Sequence, residues 1–99
     1  MPERVVLMPA AETDLEDACD WYELREQGLS AKFLERVNSC FDSVRQFPEM
    51  FEVVRLRYQR AFVKKFPYVV YFKVEGDVVE IHAVLHGKRS PWHWQRRLK

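Results

Sequence analysis

The sequence predicts an α+β fold: an N-terminal strand, an antiparallel αα-hairpin, then a four-stranded antiparallel meander with the helices packed on one face of the sheet. Three observations predict it. Apolar residues recur at helical spacing from Ala11 to Phe47. From Phe51 the apolar period shortens to two. Gly28, Pro48 and the Gly76-Asp77 pair fall where these patterns break. The 99 residues make a single domain, 1–99, and a hydrophobic share of 47% is enough for one core.

Arg4–Met8 (RVVLM) is a short β-rich run that ends before Pro9 and reads as the first strand. Glu12, Asp14, Glu16 and Asp17 then cluster where the positive end of a helix dipole favours them. Ala11, Leu15, Ala18, Cys19 and Tyr22 form the apolar stripe of this helix, and Gly28 ends it. Ser30 is the predicted N-cap of a second helix, with Leu29 and Leu34 at the spacing of a hydrophobic staple. The stripe Phe33, Leu34, Val37, Cys40, Phe41, Val44 carries this helix to Phe47, where Pro48 stops it. A connection of one or two residues makes the two helices antiparallel.

Phe51–Arg57 (FEVVRLR) and Arg60–Phe66 (RAFVKKF) are predicted strands around a tight turn near Tyr58. Pro67 punctuates, as proline does at a strand start or sheet edge. Tyr68–Glu75 and Val78–His86 follow as a hairpin, and Gly-Asp between them suits a type II′ turn. The helical stripes must cover one face of the sheet, which leaves the other face open.

Charge is divided along the chain. Residues 1–50 carry five Lys/Arg against eleven Asp/Glu, a balance of −6; residues 51–99 carry eleven against four, a balance of +7. The basic half points to an anionic partner, or else the two halves attract each other across the fold. Cys19 and Cys40 lie about 20 residues apart without a Cys or His at metal-ligand spacing, and read as buried, reduced thiols. No apolar run approaches the roughly 18–20 residues that span a bilayer, and no signal-peptide pattern opens the chain, so a soluble, cytoplasmic protein is expected.

Alternation along the third strand puts Arg60, Phe62, Lys64 and Phe66 on one side, and Arg55 and Arg57 share a side of their own strand. Such same-face cations can grip phosphates or carboxylates, or form an ordinary charged solvent face. The tail HGKRSPWHWQRR offers further candidates. His86 has the chemistry of a proton carrier, Arg89 that of a charge stabiliser, and Trp92 and Trp94 that of stacking platforms. Against these, His86 and His82 read as structural histidines, Trp92 as a lock of the tail onto the core, and Arg96 and Arg97 as solvated. Asp14, Glu16, Asp17 and Asp20 spread round the first helix and read as a solvated face. There is no Gly-rich phosphate loop, no metal-spaced cluster and no nucleophile elbow, so no cofactor or metal is expected.

One set of residues carries a family resemblance. It comprises Pro9, Ala11, Asp14-Leu15 and Trp21-Tyr22, then Gly28-Leu29, Phe33, Phe47-Pro48, Phe51, Arg60 and Val63. It continues through Phe66-Pro67-Tyr68, Val70-Tyr71, Val78, Ile81 and Val84 to His86, Arg89, Pro91, Trp92 and Arg96. With these the chain resembles, over nearly its whole length, toxins of the RelE/ParE superfamily from prokaryotic toxin–antitoxin modules. The resemblance implies the same order of elements and a cognate antitoxin whose C-terminal segment wraps the toxin. It also implies one of two activities. ParE-like members inhibit DNA gyrase, arrest growth and serve in plasmid stabilisation; RelE-like members cleave mRNA in the ribosomal A site. The RelE-like strand lysines and C-terminal Tyr are missing here, since the last Tyr is Tyr71. The helical hairpin and the FPYVVYF strand favour the ParE-like branch. Were the chain a nuclease, His86, Arg89 and Arg60 would be catalytic, with Arg55 and Arg57 holding phosphates. In either case Arg55, Arg57, Arg60, Lys64, Arg89, Trp92 and Arg96 are the expected partner-binding residues. A third alternative is an inactive homologue that acts only as an antitoxin-complex partner.

Overall fold

The structure, a computed structural model, describes residues 2–89 and 91–99; Ser90 of the tail lies outside them. The elements run β1 (Arg4–Leu7), α1 (Pro9–Arg25), α2 (Leu29–Gln46), a single 3-10 turn (Pro48–Met50), β2 (Val53–Arg55), β3 (Tyr58–Phe62), β4 (Tyr68–Glu75), β5 (Val78–His86) and α3 (Pro91–Arg97). The strands form one sheet in the order β1-β5-β4-β3-β2. The meander β2–β5 is antiparallel, and β1 returns beside β5 as its parallel neighbour.

The α-hairpin covers one face. Ala11, Leu15, Ala18 and Tyr22 of α1, with Phe33, Val37, Cys40 and Val44 of α2, meet Val70, Phe72, Val79, Ile81 and Val84 of the sheet. Phe33 is 0% exposed and packs edge-on against Phe66 and Tyr68, with Tyr22 tilted beside it. Cys19 and Cys40 are both free thiols. Burial pushes Cys40 up to about 11 and raises Cys19 as well, with Asp20 adding to the latter. Both therefore stay neutral and unreactive at neutral pH.

The junction between the helices differs from expectation. α1 ends at Arg25, before Gly28, and α2 starts at Leu29. Gly28 takes the left-handed conformation at φ 88° and turns the chain between them. Ser30 is not the cap. The Glu23 carboxylate reaches across from α1 and accepts the backbone N–H groups of Gly28 (2.9 Å) and Ser30 (3.2 Å) and the Ser30 hydroxyl (2.6 Å). It thereby satisfies orphan donors at the N-terminus of α2 and sits at the positive end of its dipole. These bonds, Ser30's hydroxyl first, hold the Glu23 carboxyl below the usual carboxylate range. A depressed folded pKa stabilises above the unfolded value and loses that stabilisation as pH falls through the folded one. Thermal melts of Glu23→Gln and the parent chain should therefore differ at neutral pH and converge in acid.

The meander also starts differently. β2 covers only Val53–Arg55, because the 3-10 turn occupies the preceding residues and the Gln59 side chain ties the Pro48 and Phe51 carbonyls. The turn lies at Leu56-Arg57 instead of Tyr58, and β3 ends at Phe62 instead of Phe66. Residues 63–67 form a loop with Lys65 at φ 73°, so Lys64 leaves the ladder and Phe66 folds into the core. In the β4–β5 turn Gly76 takes φ 59° while Asp77 is not in the positive region, as a type II′ turn requires. Leu56 takes φ 54° at the corresponding place of the β2–β3 turn and is 73% exposed. A leucine there is strained by about 1–2 kcal/mol and packs on little. Leu56→Gly is expected to raise stability by up to about 1 kcal/mol, read as a higher thermal midpoint.

The far face of the sheet is not open. Tyr58, Val69, Tyr71, Ala83 and Leu85 make a second apolar cluster, closed by the C-terminal tail. The tail is a helix whose Trp94 stacks on Tyr71 (ring centroids 5.4 Å, planes 18° apart), and Leu98 beyond it is 0% exposed. Trp92, expected to lock the tail, is 65% exposed and carries Arg96 over its ring. The i, i+4 spacing of Trp94 and Leu98 explains why these two, and not Trp92, face inward.

Candidate functional site

Past Ile81 the strand β5 has no strand neighbour on its outer side, because β1 gives its last bond from Met8 N–H to the Ile81 carbonyl and turns into α1. A bulge follows at once. Phe72 pairs with Ile81 and Tyr71 with Ala83, leaving His82 as the extra residue. The exposed strand groups are taken up by side chains from two helices. Asp14 of α1 accepts the Val84 N–H at 2.9 Å, and Arg97 of α3 donates to the His82 carbonyl at 3.2 Å. Arg97 also grips Asp14 with two bonds, 2.9 and 3.2 Å. Asp14 is thus a joint between hairpin, sheet and tail, not part of a solvated face, and Arg97 is likewise engaged. The sequence did hold a signal for Asp14: it lies on the row Ala11, Asp14, Ala18 at the rim of the buried stripe of α1.

Beyond this joint, between α1 and the outer edge of β5, runs a groove of about 390 Å³ lined by Asp14, Asp17, Trp21, Tyr68, His86 and Arg89. Burial raises the Tyr68 hydroxyl pKa; Arg89 opposes that, and the Asp14 and Asp17 charges add to the rise. Tyr68 therefore remains a neutral donor. The His86 ring lies edge-on to Tyr68 (5.4 Å), and its Nδ1 accepts the Lys88 backbone N–H at 3.0 Å. A neutral imidazole with Nδ1 so occupied carries its proton on Nε2. From there it can donate into the groove. Arg89 lies with its guanidinium 3.2 Å from His93 Nε2.

The remaining candidates lie elsewhere. Arg60 stands opposite Tyr71 in the β3–β4 ladder and so projects from the far face, whereas His86 stands opposite Tyr68 on the helix-covered face. Arg60 donates to Glu52 at 2.7 Å, and Arg57 pairs with Glu75. Arg55 is exposed at the end of β2, Lys64 lies in the β3–β4 loop, and Trp92 and Arg96 lie on the outer side of α3. His82 bonds Glu80 (3.0 Å) and touches the Tyr58 ring, a structural role. The structure thus brings together His86 and Arg89 alone among the residues named for a nuclease; Arg60 is on the other side of the sheet. Among the described residues no group of three or more His, Cys, Asp or Glu is placed to hold a metal ion, and no helix is long and apolar enough to cross a membrane.

A family model described as the ParE toxin of the type II toxin–antitoxin system parDE matches residues 5–91. The chain belongs to the ParE toxin family. Among solved structures, this ParE-family chain is similar to one titled "Chromosomal ParDE TA system from P. aeruginosa", at 14% identity and a TM-score of 0.75. That likeness covers 87% of this chain and 96% of the other, and shows a shared fold. No curated protein matches the chain. The matched span of this family member runs from β1 through the groove residues His86 and Arg89, and stops at the first residue of α3.

Proposed function

We propose that the chain is the toxin of a type II toxin–antitoxin module, acting in the cytoplasm by binding DNA gyrase rather than by catalysis, and neutralised by an antitoxin encoded beside it. The family membership supports the toxin reading. The observation that carries binding over catalysis is the division of the basic residues by the sheet. Metal-independent RNA cleavage needs a base at the 2′-hydroxyl, a cation at the phosphorane and an acid at the leaving oxygen in one place. Here the far-face Arg60 and the groove residues His86 and Arg89 do not share a place.

Expression of the chain alone, followed by pulse labelling of DNA and of protein, tests this reading. Growth should stop with DNA synthesis failing first, and co-expression of the neighbouring gene product should restore growth. Immediate loss of protein synthesis, with cleaved mRNA in primer extension, would replace the proposal with the nuclease. Unimpaired growth would leave an inactive complex partner.

A further inference from the structure

Asp14 and Arg97 satisfy the outward backbone groups of β5 only as far as the Val84 N–H. Two further groups face the α1–β5 groove. Val84 stands opposite Val70, and its N–H points away from β4 to Asp14, so its C=O points the same way. His86, two residues on, also turns both its groups outward. Its C=O accepts the Arg89 N–H at 3.0 Å, while the Gly87 N–H between them turns back to Pro67 at 2.7 Å. The Val84 C=O and the His86 N–H are left, with no protein partner among the described residues.

These two groups define an orientation. An antiparallel neighbour bonds both groups of one residue, and at Val84 and at His86 one of the two is already taken. A parallel neighbour, through a single residue of its own, bonds the C=O of one residue and the N–H of the residue two further on. The pair left over is of that kind, and it continues the direction in which β1 runs beside β5. Such an occupant puts its amino nitrogen at Val84 and its carboxyl at His86. The charges of the groove suit both ends. Its acids, Asp14 and Asp17, come from α1, with Asp14 fixed beside Val84, and its cation, Arg89, follows His86. Asp17 is in no ion pair among the described residues. The length is limited too. Asp14 and Arg97 close the edge upstream, and the turn from His86 to Arg89 closes it downstream, so one residue fits and an extended segment does not. The volume of about 390 Å³ lies in the lower part of the range for small-molecule sites, about 300–1,000 Å³. We infer that the α1–β5 groove binds a free α-amino acid lying parallel to β5. Its ammonium donates to the Val84 C=O and faces Asp17; its carboxylate accepts the His86 N–H and pairs with Arg89. The Tyr68 hydroxyl and the His86 ring line the same groove as further donors, and Trp21 gives it an aromatic wall. This site goes beyond the toxin reading and does not depend on it.

The test is a titration of ¹⁵N-labelled chain with L-amino acids, first as an equimolar mixture of the common ones and then singly. The amides of Val84, Leu85, His86 and Arg89 should shift together and saturate, with a Kd of about 1 mM or tighter for the best ligand. Its N-acetyl derivative lacks the ammonium and its carboxamide lacks the carboxylate, and each should bind at least about tenfold more weakly. The variants Asp17→Asn and Arg89→Gln, both at exposed positions where the thermal midpoint should hold, should weaken the amino acid to a similar extent. Asp17→Asn should leave the residual binding of the N-acetyl derivative unchanged, a split that a merely structural role would not produce. Absence of saturable shifts at residues 84–89 with every amino acid would overturn the inference. Equal binding of the N-acetyl derivative would also overturn it and reduce the groove to an anion site. So would equal binding of a peptide carrying the same residue internally, which would give the edge to a protein strand.

Discussion

Phe33→Ala is expected to lower the free energy of unfolding by about 3–5 kcal/mol, read from urea denaturation. Its ring is wholly buried where both helices and the sheet meet, in contact with Tyr22, Phe66 and Tyr68. Removing it deletes the transfer free energy of a phenyl group and leaves a void. The neighbours cannot close that void easily, because Tyr68 is fixed in a ladder and Tyr22 in a helix. Against a typical stability of about 5–15 kcal/mol for a whole domain, that is a large share, and the thermal midpoint is expected to fall with it. A loss below about 1 kcal/mol would mean that the hairpin does not depend on this contact.

Asp14→Ala is expected to cost about 2–3 kcal/mol by the same measurement, although it removes no apolar surface. The Asp14 and Arg97 side chains are 15% and 26% exposed, so each is largely desolvated. Without the carboxylate, the Val84 N–H loses its acceptor and the Arg97 guanidinium loses its counter-charge. The α3 tail then keeps Trp94, Leu98 and the His82 carbonyl, with the Tyr58 hydroxyl on the Lys99 carbonyl (3.4 Å) and the Arg89–His93 contact. Arg97→Met removes the stranded charge. The double variant Asp14→Ala/Arg97→Met should therefore cost less than the two single changes added together. Additive costs would show that the joint is not a coupled unit. Limited proteolysis gives an independent reading: Asp14→Ala should speed cleavage within residues 88–99 before the body of the chain opens.

The elements with the strongest periodicity were legible in the sequence. Tyr68–Glu75 and Val78–His86 begin and end where the alternation and the Gly-Asp turn place them. The helices, their antiparallel pairing and the sheet face they cover follow from the apolar stripes. What was not legible depended on partners far along the chain. The cap of α2 comes from Glu23 in the preceding helix, so a local search for Ser30 could not find it. The tail reads as Trp, His and Arg without an obvious stripe, yet Trp94 and Leu98 make one because a bare apolar patch of Tyr71, Ala83 and Leu85 waits for them. Phe51–Arg57 and Arg60–Phe66 have the composition of strands, but the left-handed residues Leu56 and Lys65 shift the turns and shorten the ladders. Local alternation gave Arg60 and His86 no common frame; only the cross-strand pairing places them on opposite faces.

That placement also supports binding over catalysis, the branch the sequence already favoured, and the reading can be tested on purified components. The decisive measurement is ATP-dependent supercoiling of relaxed plasmid by DNA gyrase, with the purified chain added in increasing amounts. The account predicts a dose-dependent loss of supercoiling, reversed by the neighbouring gene product and unchanged in His86→Ala, whose proton chemistry it does not use. Full supercoiling at saturating amounts of folded chain would contradict it.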